Sequence, residues 1–349
     1  MKTKQEYIKE LLDYDSKIII EQILKQEQLE AILNSLKVSV IKKIFKDLES
    51  ISKSPKDDLN TPKDAKDDLN TPKSAKDTKD NLNTTKIGVH LNRESTLQKT
   101  ITKLHQIDGN ALQIFTSNPS SCQPANKEKY FKEYETIKDL ECHFVIHSSY
   151  TINIAKASFN YKIIEIDLEI ASKYKAIGVI VHVGKHVNTD INQCYQNMIN
   201  FFNHCINFIK TNKLNTKIIL ETAAGQGTEM LVDIEEFITF SKQFDKNYFS
   251  LCFDTCHVWS AGFDIIEAYN KIQTSTDNLI SVIHFNGSKT IKGSKKDRHD
   301  NLFNTNSSIN IDKLKLFCSN LKKQDIMIIL ETPDENDYPK EIEFIKQNI

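Results

Sequence analysis

A single (β/α)8 TIM barrel of the α/β class, behind a helical N-terminal extension and a low-complexity linker, is the architecture this 349-residue sequence predicts. Three observations carry that expectation. After Lys86, eight short apolar runs alternate with amphipathic stretches. Several of those runs end abruptly in His, Asp or Glu, as Leu251-Cys-Phe-Asp254 and Phe144-Val-Ile-His147 do. The pentapeptide Ile-Ile-Leu-Glu-Thr occurs twice, at 218–222 and 328–332, each time delivering a glutamate after three apolar residues.

In chain order, residues 1–53 space their apolar side chains, such as Ile8, Leu11, Leu12, Ile32 and Leu33, at helical intervals, which predicts roughly two or three helices. Residues 54–85 change character. The segment from Lys56 to Ala65 is followed by a near copy from Lys66 to Ala75 and then a decayed unit, all rich in Lys, Asp, Asn, Thr and Pro. Such a composition cannot bury a core and predicts a flexible linker with a domain boundary near Lys86. From there strands are expected at 87–92, 111–116, 143–149, 178–183, 216–222, 249–255, 279–286 and 325–332. Helical patterns lie between them, for example at 162–175, 191–212, 233–244 and 311–323. Barrels of this kind carry their chemistry at the C-terminal ends of the strands. His147, His182, Glu221, Asp254, His284 and Glu331 all fall there.

Bulk composition excludes several classes. A formal net charge of −1 gives no global positive field, so any nucleic-acid contact has to come from a local basic patch. Arg93 and Arg298 are the only arginines among many lysines, a bias that resembles coding in an AT-rich genome. Arg298 stands out because lysine cannot reproduce a planar fork that grips phosphate. The seven cysteines, Cys122, Cys142, Cys194, Cys205, Cys252, Cys256 and Cys318, are scattered without a Cys-x-x-Cys pair, and no apolar signal core precedes them. That pattern predicts a reducing intracellular compartment, cytoplasm or nucleus. Cys252 and Cys256 are expected to be packing residues. No run reaches membrane-spanning length, so no membrane partner is expected.

Imidazole nitrogen combined with carboxylate oxygen, and without thiolate, suits catalytic zinc, although manganese or iron accepts the same donors. The segment from Ser288 to His299 adds Asp297 and His299 amid Lys289, Lys292, Lys295, Lys296 and Arg298. Metal ligands inside a basic loop point to an anionic substrate, phosphate above all.

These residues resemble the endonuclease IV type of apurinic/apyrimidinic endonuclease over essentially 86–349. The matching motifs are Ile146-His147-Ser-Ser-Tyr150, His182-Val-Gly184, Glu221-Thr-Ala-Ala-Gly-Gln-Gly227, Asp254-Thr-Cys-His257 with Ala261-Gly-Phe-Asp264, His284-Phe-Asn286, Asp297-Arg298-His299 and Leu330-Glu331-Thr332. The resemblance implies a three-zinc cluster. His147, His182 and Glu221 would hold one ion, Glu221 with Asp254, His284 and Glu331 a second, and His257, Asp297 and His299 a third. It also implies that water activated there and oriented by Glu221 attacks phosphorus in line, cutting 5′ to an abasic site in double-stranded DNA. The products would be a 3′-hydroxyl and a 5′-deoxyribose phosphate, with removal of blocked 3′ ends as a second activity. Tyr150, Lys289 and Arg298 are the expected DNA contacts, a monomer is expected, and the partner of the N-terminal extension is left open. Relatives place large or basic side chains in the loop after the second strand, where this chain reads Asn118-Pro-Ser-Ser-Cys122. Gly287 stands where an Asp is common, and residues 301–306 replace the usual Gly-x-Gly after Asp-Arg-His. Both of these departures bear on the shape of the loop after the seventh strand and not on the ligands.

Two rival readings remain at this point. A metal-dependent sugar isomerase or epimerase shares the barrel and a two-metal set of ligands, but has no obvious task for His257, Asp297 and His299. A module that binds damaged DNA without cutting it would not need every ligand position filled.

Overall fold

The computed structural model describes residues 85–121, 123–321 and 324–349. The helical extension over 1–53 and the linker over 54–85 lie outside these residues, apart from Thr85. In chain order the strands are β1 (Lys86–His90), β2 (Ala111–Phe115), β3 (His143–His147), β4 (Val179–Val181), β5 (Ile218–Glu221), β6 (Phe249–Asp254), β7 (Ile280–His284), β8 (Gly287–Ser288), β9 (His299–Asp300) and β10 (Met327–Leu330). Eight of them close a barrel in the order β1-β10-β7-β6-β5-β4-β3-β2, every pairing parallel. The short pair β8 and β9 forms an antiparallel ribbon in the loop after β7.

All eight expected barrel strands are present, trimmed by a few residues where the chain turns away at the rim. Helices pack outside: α1 (Leu97–Gln106), α2 (Lys127–Tyr134), α3 (Tyr161–Lys173), α4 (Ile191–Thr211), α5 (Ile234–Ser241), α6 (Thr255–Ala261), α7 (Ile265–Ser275), α8 (Ile311–Asn320) and α9 (Tyr338–Asn348). Most start on a side-chain cap, as Asp190 does for α4 and Asp233 for α5. Thr255, expected to end a strand, instead begins α6. The reason is Asp254, whose side chain accepts from His257 N at 2.8 Å and turns the chain into a helix at once.

Strand side chains alternate between two cores. One set faces the helices, for example Ile218 and Leu220 of β5, or Leu251 and Phe253 of β6. The other fills the barrel with Ala111, Val145, Ile180, Ile219, Cys252, Val282, Met327 and Ile329. Two residues beyond an inward apolar side chain, the next inward position meets the C-terminal mouth. Val145 is thus followed by His147, Ile219 by Glu221, Cys252 by Asp254, Val282 by His284 and Ile329 by Glu331. On β1 the inward position is Gly88, where a Cβ would lie 1.7 Å from Ala111 O, so the close approach of β1 to β2 requires glycine.

Candidate metal centre

At the mouth of the barrel the inward residues converge on Glu221, whose carboxylate is buried between two sets of imidazoles. Its Oε2 lies 3.3 Å from His147 Nε2 and 3.2 Å from His182 Nε2. Its Oε1 lies 3.0 Å from His284 Nδ1 and 3.3 Å from His257 Nδ1. His284 Nδ1 also faces Glu331 Oε2 at 3.2 Å and Asp254 Oδ2 at 3.7 Å. Asp297 joins from the loop after β7, its two oxygens each 3.2 Å from the Nε2 atoms of His257 and His299. All nine residues expected from the sequence as ligands lie together here: His147, His182 and Glu221 form one group as expected, whereas Asp254 stands both with His284 and Glu331 and with His257 and His299.

The imidazoles are aimed by their other nitrogen, which is how ligating histidines are usually fixed. A carbonyl oxygen can only accept, so His147 donates Nδ1–H to Ser148 O and His257 donates Nδ1–H to Thr222 O, both at 2.8 Å. His299 does the same toward Glu331 O at 3.3 Å. Each of these rings turns its Nε2 inward. His299 Nε2 is buried with no hydrogen-bond partner, 3.4 Å from Asp254 Oδ2. A buried, unpartnered lone pair facing two carboxylates is a poor arrangement for protein alone and a good one for a cation.

Electrostatics agree. Burial would raise the carboxyl pKa of Glu221, but His284, His182 and His257 hold it well below the usual range. Burial likewise acts to raise Asp297, and His257 and His299 pull it far down. Burial alone would favour neutral imidazole at His257 and His299, whereas the facing carboxylates push both well above the ordinary value. The centre attracts positive charge strongly, from protons or from metal ions, so the two compete. Its donors fit zinc, manganese or iron, with His147, His182, Glu221, Asp254, His257, His284, Asp297, His299 and Glu331 as the holding residues. Cys252 and Cys256 lie within reach of these groups but are buried thiols, and burial pushes Cys252 up to about 12. They pack the core, as expected.

The sequence motifs have physical roles here. Thr222 accepts His257 Nδ1–H on its carbonyl and Asp254 N on its hydroxyl at 3.0 Å. Gln226 Oε1 accepts from Asp297 N at 3.1 Å, tying the Gly225–Gly227 turn to the basic loop, and Glu229 Oε2 holds that turn through the amides of Gly225 and Gln226, both at 2.9 Å. After β7, a Cβ at Gly287 would lie 2.8 Å from Ser307 Oγ, so the two segments of this loop approach closely at a residue without a side chain. Asn301 anchors the loop through hydrogen bonds to Asp334 O and Glu341 Oε1, both at 3.1 Å.

A cavity of about 490 Å³ opens over the centre, with Tyr150, Lys185, Lys289 and Arg298 on its wall. Tyr150 is 55% exposed, its ring 5.5 Å from those of both His147 and His182. Sequence reasoning missed His90, Gln113 and Asn286. Asn286 Nδ2 donates to Asp254 Oδ2 at 2.9 Å and its Oδ1 accepts from Glu331 N at 2.9 Å, joining β6, β7 and β10. His90 stands two residues past Gly88 at the end of its strand, where the alternation that marks the other histidines could have found it, whereas Gln113, two residues past Ala111, lies inside an apolar run.

Residues 101–348 match the family model described as a xylose isomerase-like TIM barrel. A probable endonuclease 4 of Mycoplasma genitalium is 32% identical over 249 residues, covering 67% of this chain and 84% of that protein. The chain belongs to the endonuclease IV family of apurinic/apyrimidinic endonucleases. A second relative, a probable endonuclease 4 of Clostridium botulinum, is 30% identical over 276 residues, with 74% of this chain and 97% of that one aligned. Among solved structures, a D-tagatose 3-epimerase-like protein superposes with a TM-score of 0.59 at 21% identity, across 76% of this chain and 97% of its own. At that identity the likeness shows the shared barrel and nothing of the chemistry. No helix among the described residues is long and apolar enough to cross a membrane.

Proposed function

We propose that this endonuclease IV-type chain is a metal-dependent DNA repair nuclease that cuts the phosphodiester bond 5′ to abasic sites in duplex DNA, leaving a 3′-hydroxyl and a 5′-deoxyribose phosphate. The observation that carries the reading is the third group of candidate ligands, in which His257 of α6 meets Asp297 and His299 from a loop whose Lys289 and Arg298 wall the same cavity. Three zinc ions, or manganese or iron at one position, would supply Lewis-acid stabilisation of the phosphoryl oxygens and a water acidic enough to react at neutral pH.

The chain's own contribution is placement. Glu221 keeps a charged carboxylate at the centre of the cluster, able to orient an attacking water. His257 and His299 face Asp297 at the side of the basic loop, where a departing 3′ oxygen can be accommodated. Lys289 and Arg298 balance the phosphates on the cavity wall. Removal of 3′-phosphates uses the same groups on an end that needs no opening. The test is a nicking assay on a duplex with one abasic site, with end-group analysis of the products and elemental analysis of the protein. A 3′-hydroxyl and 5′-sugar-phosphate pair supports the reading. Tight binding without cleavage, or epimerisation of a free sugar in its place, overturns it.

A further inference from the structure

We propose that Gln113 is a positioning residue of the metal centre, setting the tautomer of His284 and the orientation of Glu331 at once. This rests on the metal-dependent reading above.

The side chain is fully buried on β2, a strand that supplies no ligand. Both donors and the oxygen of its amide are engaged. Nε2 donates to Glu331 Oε1 at 2.6 Å and to His90 Nδ1 at 2.9 Å, and Oε1 accepts from His284 Nε2 at 2.8 Å. The direction of the amide is forced, because a carboxylate can only accept and therefore needs the NH2 end. That leaves the oxygen for His284, so His284 carries its proton on Nε2 and presents the Nδ1 lone pair toward Glu221, Glu331 and Asp254. His284 is thereby reversed relative to His147, His257 and His299, whose Nδ1 atoms are tied to carbonyls. At His284 Nε2 the amide oxygen of Gln113 takes the part that backbone carbonyls play for the other three rings.

The same amide fixes Glu331. With Oε1 engaged by Gln113, Oε2 is left facing His284 Nδ1 at 3.2 Å. His90 completes the lock by accepting the second N–H, and its ring is braced 4.7 Å from Phe115. One glutamine thus governs two of the four ligands of a single subsite, while the His147, His182, Glu221 group has no contact with it and serves as an internal control.

The decisive measurement is zinc and cobalt affinity by competition with a chromophoric chelator, for full-length wild type and Gln113→Leu. Outer residues of this kind are worth about 10–100-fold in metal affinity. One class of bound ion is expected to weaken by that factor in the variant, with a changed visible spectrum for cobalt in that class, while the remaining classes keep their affinity. Gln113→Glu, which retains an acceptor for His284 but sets a second carboxylate against Glu331, is expected to lose at least as much from the same class. It decides the matter if the leucine variant does not fold. Unchanged affinities in both variants, or a uniform loss across all classes together with a lowered melting temperature of the metal-free protein, overturn the positioning role. Absence of metal binding by the wild type overturns the metal centre itself, and the inference with it.

Discussion

Replacing Glu331 by glutamine removes one negative charge from the cluster while keeping volume and leaving the backbone bond from Glu331 N to Asn286 intact. The carboxylate lies 3.2 Å from His284 Nδ1 and its side chain is 13% exposed, so it is screened only in part. At an effective dielectric of 20, this carboxylate and one unit of positive charge on a bound cation at about that separation interact by roughly 5 kcal/mol, and even half of it, about 2.5 kcal/mol, corresponds to about a hundredfold in affinity or rate. An amide at 331 also loses the charge assistance in the bond from Gln113 Nε2. Nicking by Glu331→Gln is therefore expected to fall by about two orders of magnitude or more, with the far-ultraviolet circular dichroism of the wild type and less bound metal by elemental analysis. A folded variant that nicks at the wild-type rate would refute the assignment of Glu331 to the centre.

Tyr150→Ala should weaken binding to an abasic duplex about 5–100-fold, the range of one aromatic stack on a base, while sparing 3′-phosphate removal from a frayed end. That difference is expected if the exposed ring enters the base stack at the abasic site as a wedge, and equal losses on both substrates, or no loss on either, reject it. Asp167 is buried, accepts from Thr116 and leaves Oδ2 unpartnered, and burial pushes its carboxyl from 3.8 to about 7. Because the folded state then binds the proton more tightly than the unfolded one, the stability this group contributes is complete below about pH 4 and is lost as pH rises through about 7. Asp167→Asn should thus melt higher than wild type above neutral pH, by up to ~4 kcal/mol, with the advantage gone at acid pH; a pH-independent difference contradicts this. Deleting residues 1–84 should leave nicking intact, since every barrel strand lies between Lys86 and Leu330; an inactive or insoluble truncation shows that the N-terminal region is needed by the barrel.

The barrel and the cluster at its mouth were legible because burial on both faces makes a parallel strand read as an apolar run, and a charged residue ending such a run has few bland explanations. His147, Glu221, Asp254, His284 and Glu331 could be found that way. Gln113 could not, because it sits inside the run Ala111-Leu-Gln-Ile-Phe115 and a neutral amide announces no chemistry. Its meaning depends on His90, His284 and Glu331, which become its neighbours only after closure. The fit between Gly287 and Ser307 was hidden for a related reason: each residue is unremarkable alone, and the sequence shows a missing side chain without showing what fills the space. Loop positions such as Tyr150 were legible by motif but not by environment.

The place of β10 between β1 and β7 has a consequence for synthesis. A chain emerging from its N-terminus holds His147, His182 and Glu221 on three successive strands, and these can meet early. Gln113 reaches Glu331 across 218 residues and His284 across 171. Those contacts, and Glu331 itself, arrive only when the last strand enters the gap and the ring shuts. Such non-local pairings come late because the entropy of a long loop has to be overcome first. A chain interrupted before residue 327 therefore carries His147, His182 and Glu221 but not the whole cluster, and the final strand that seals the barrel is also the one that completes the candidate metal centre.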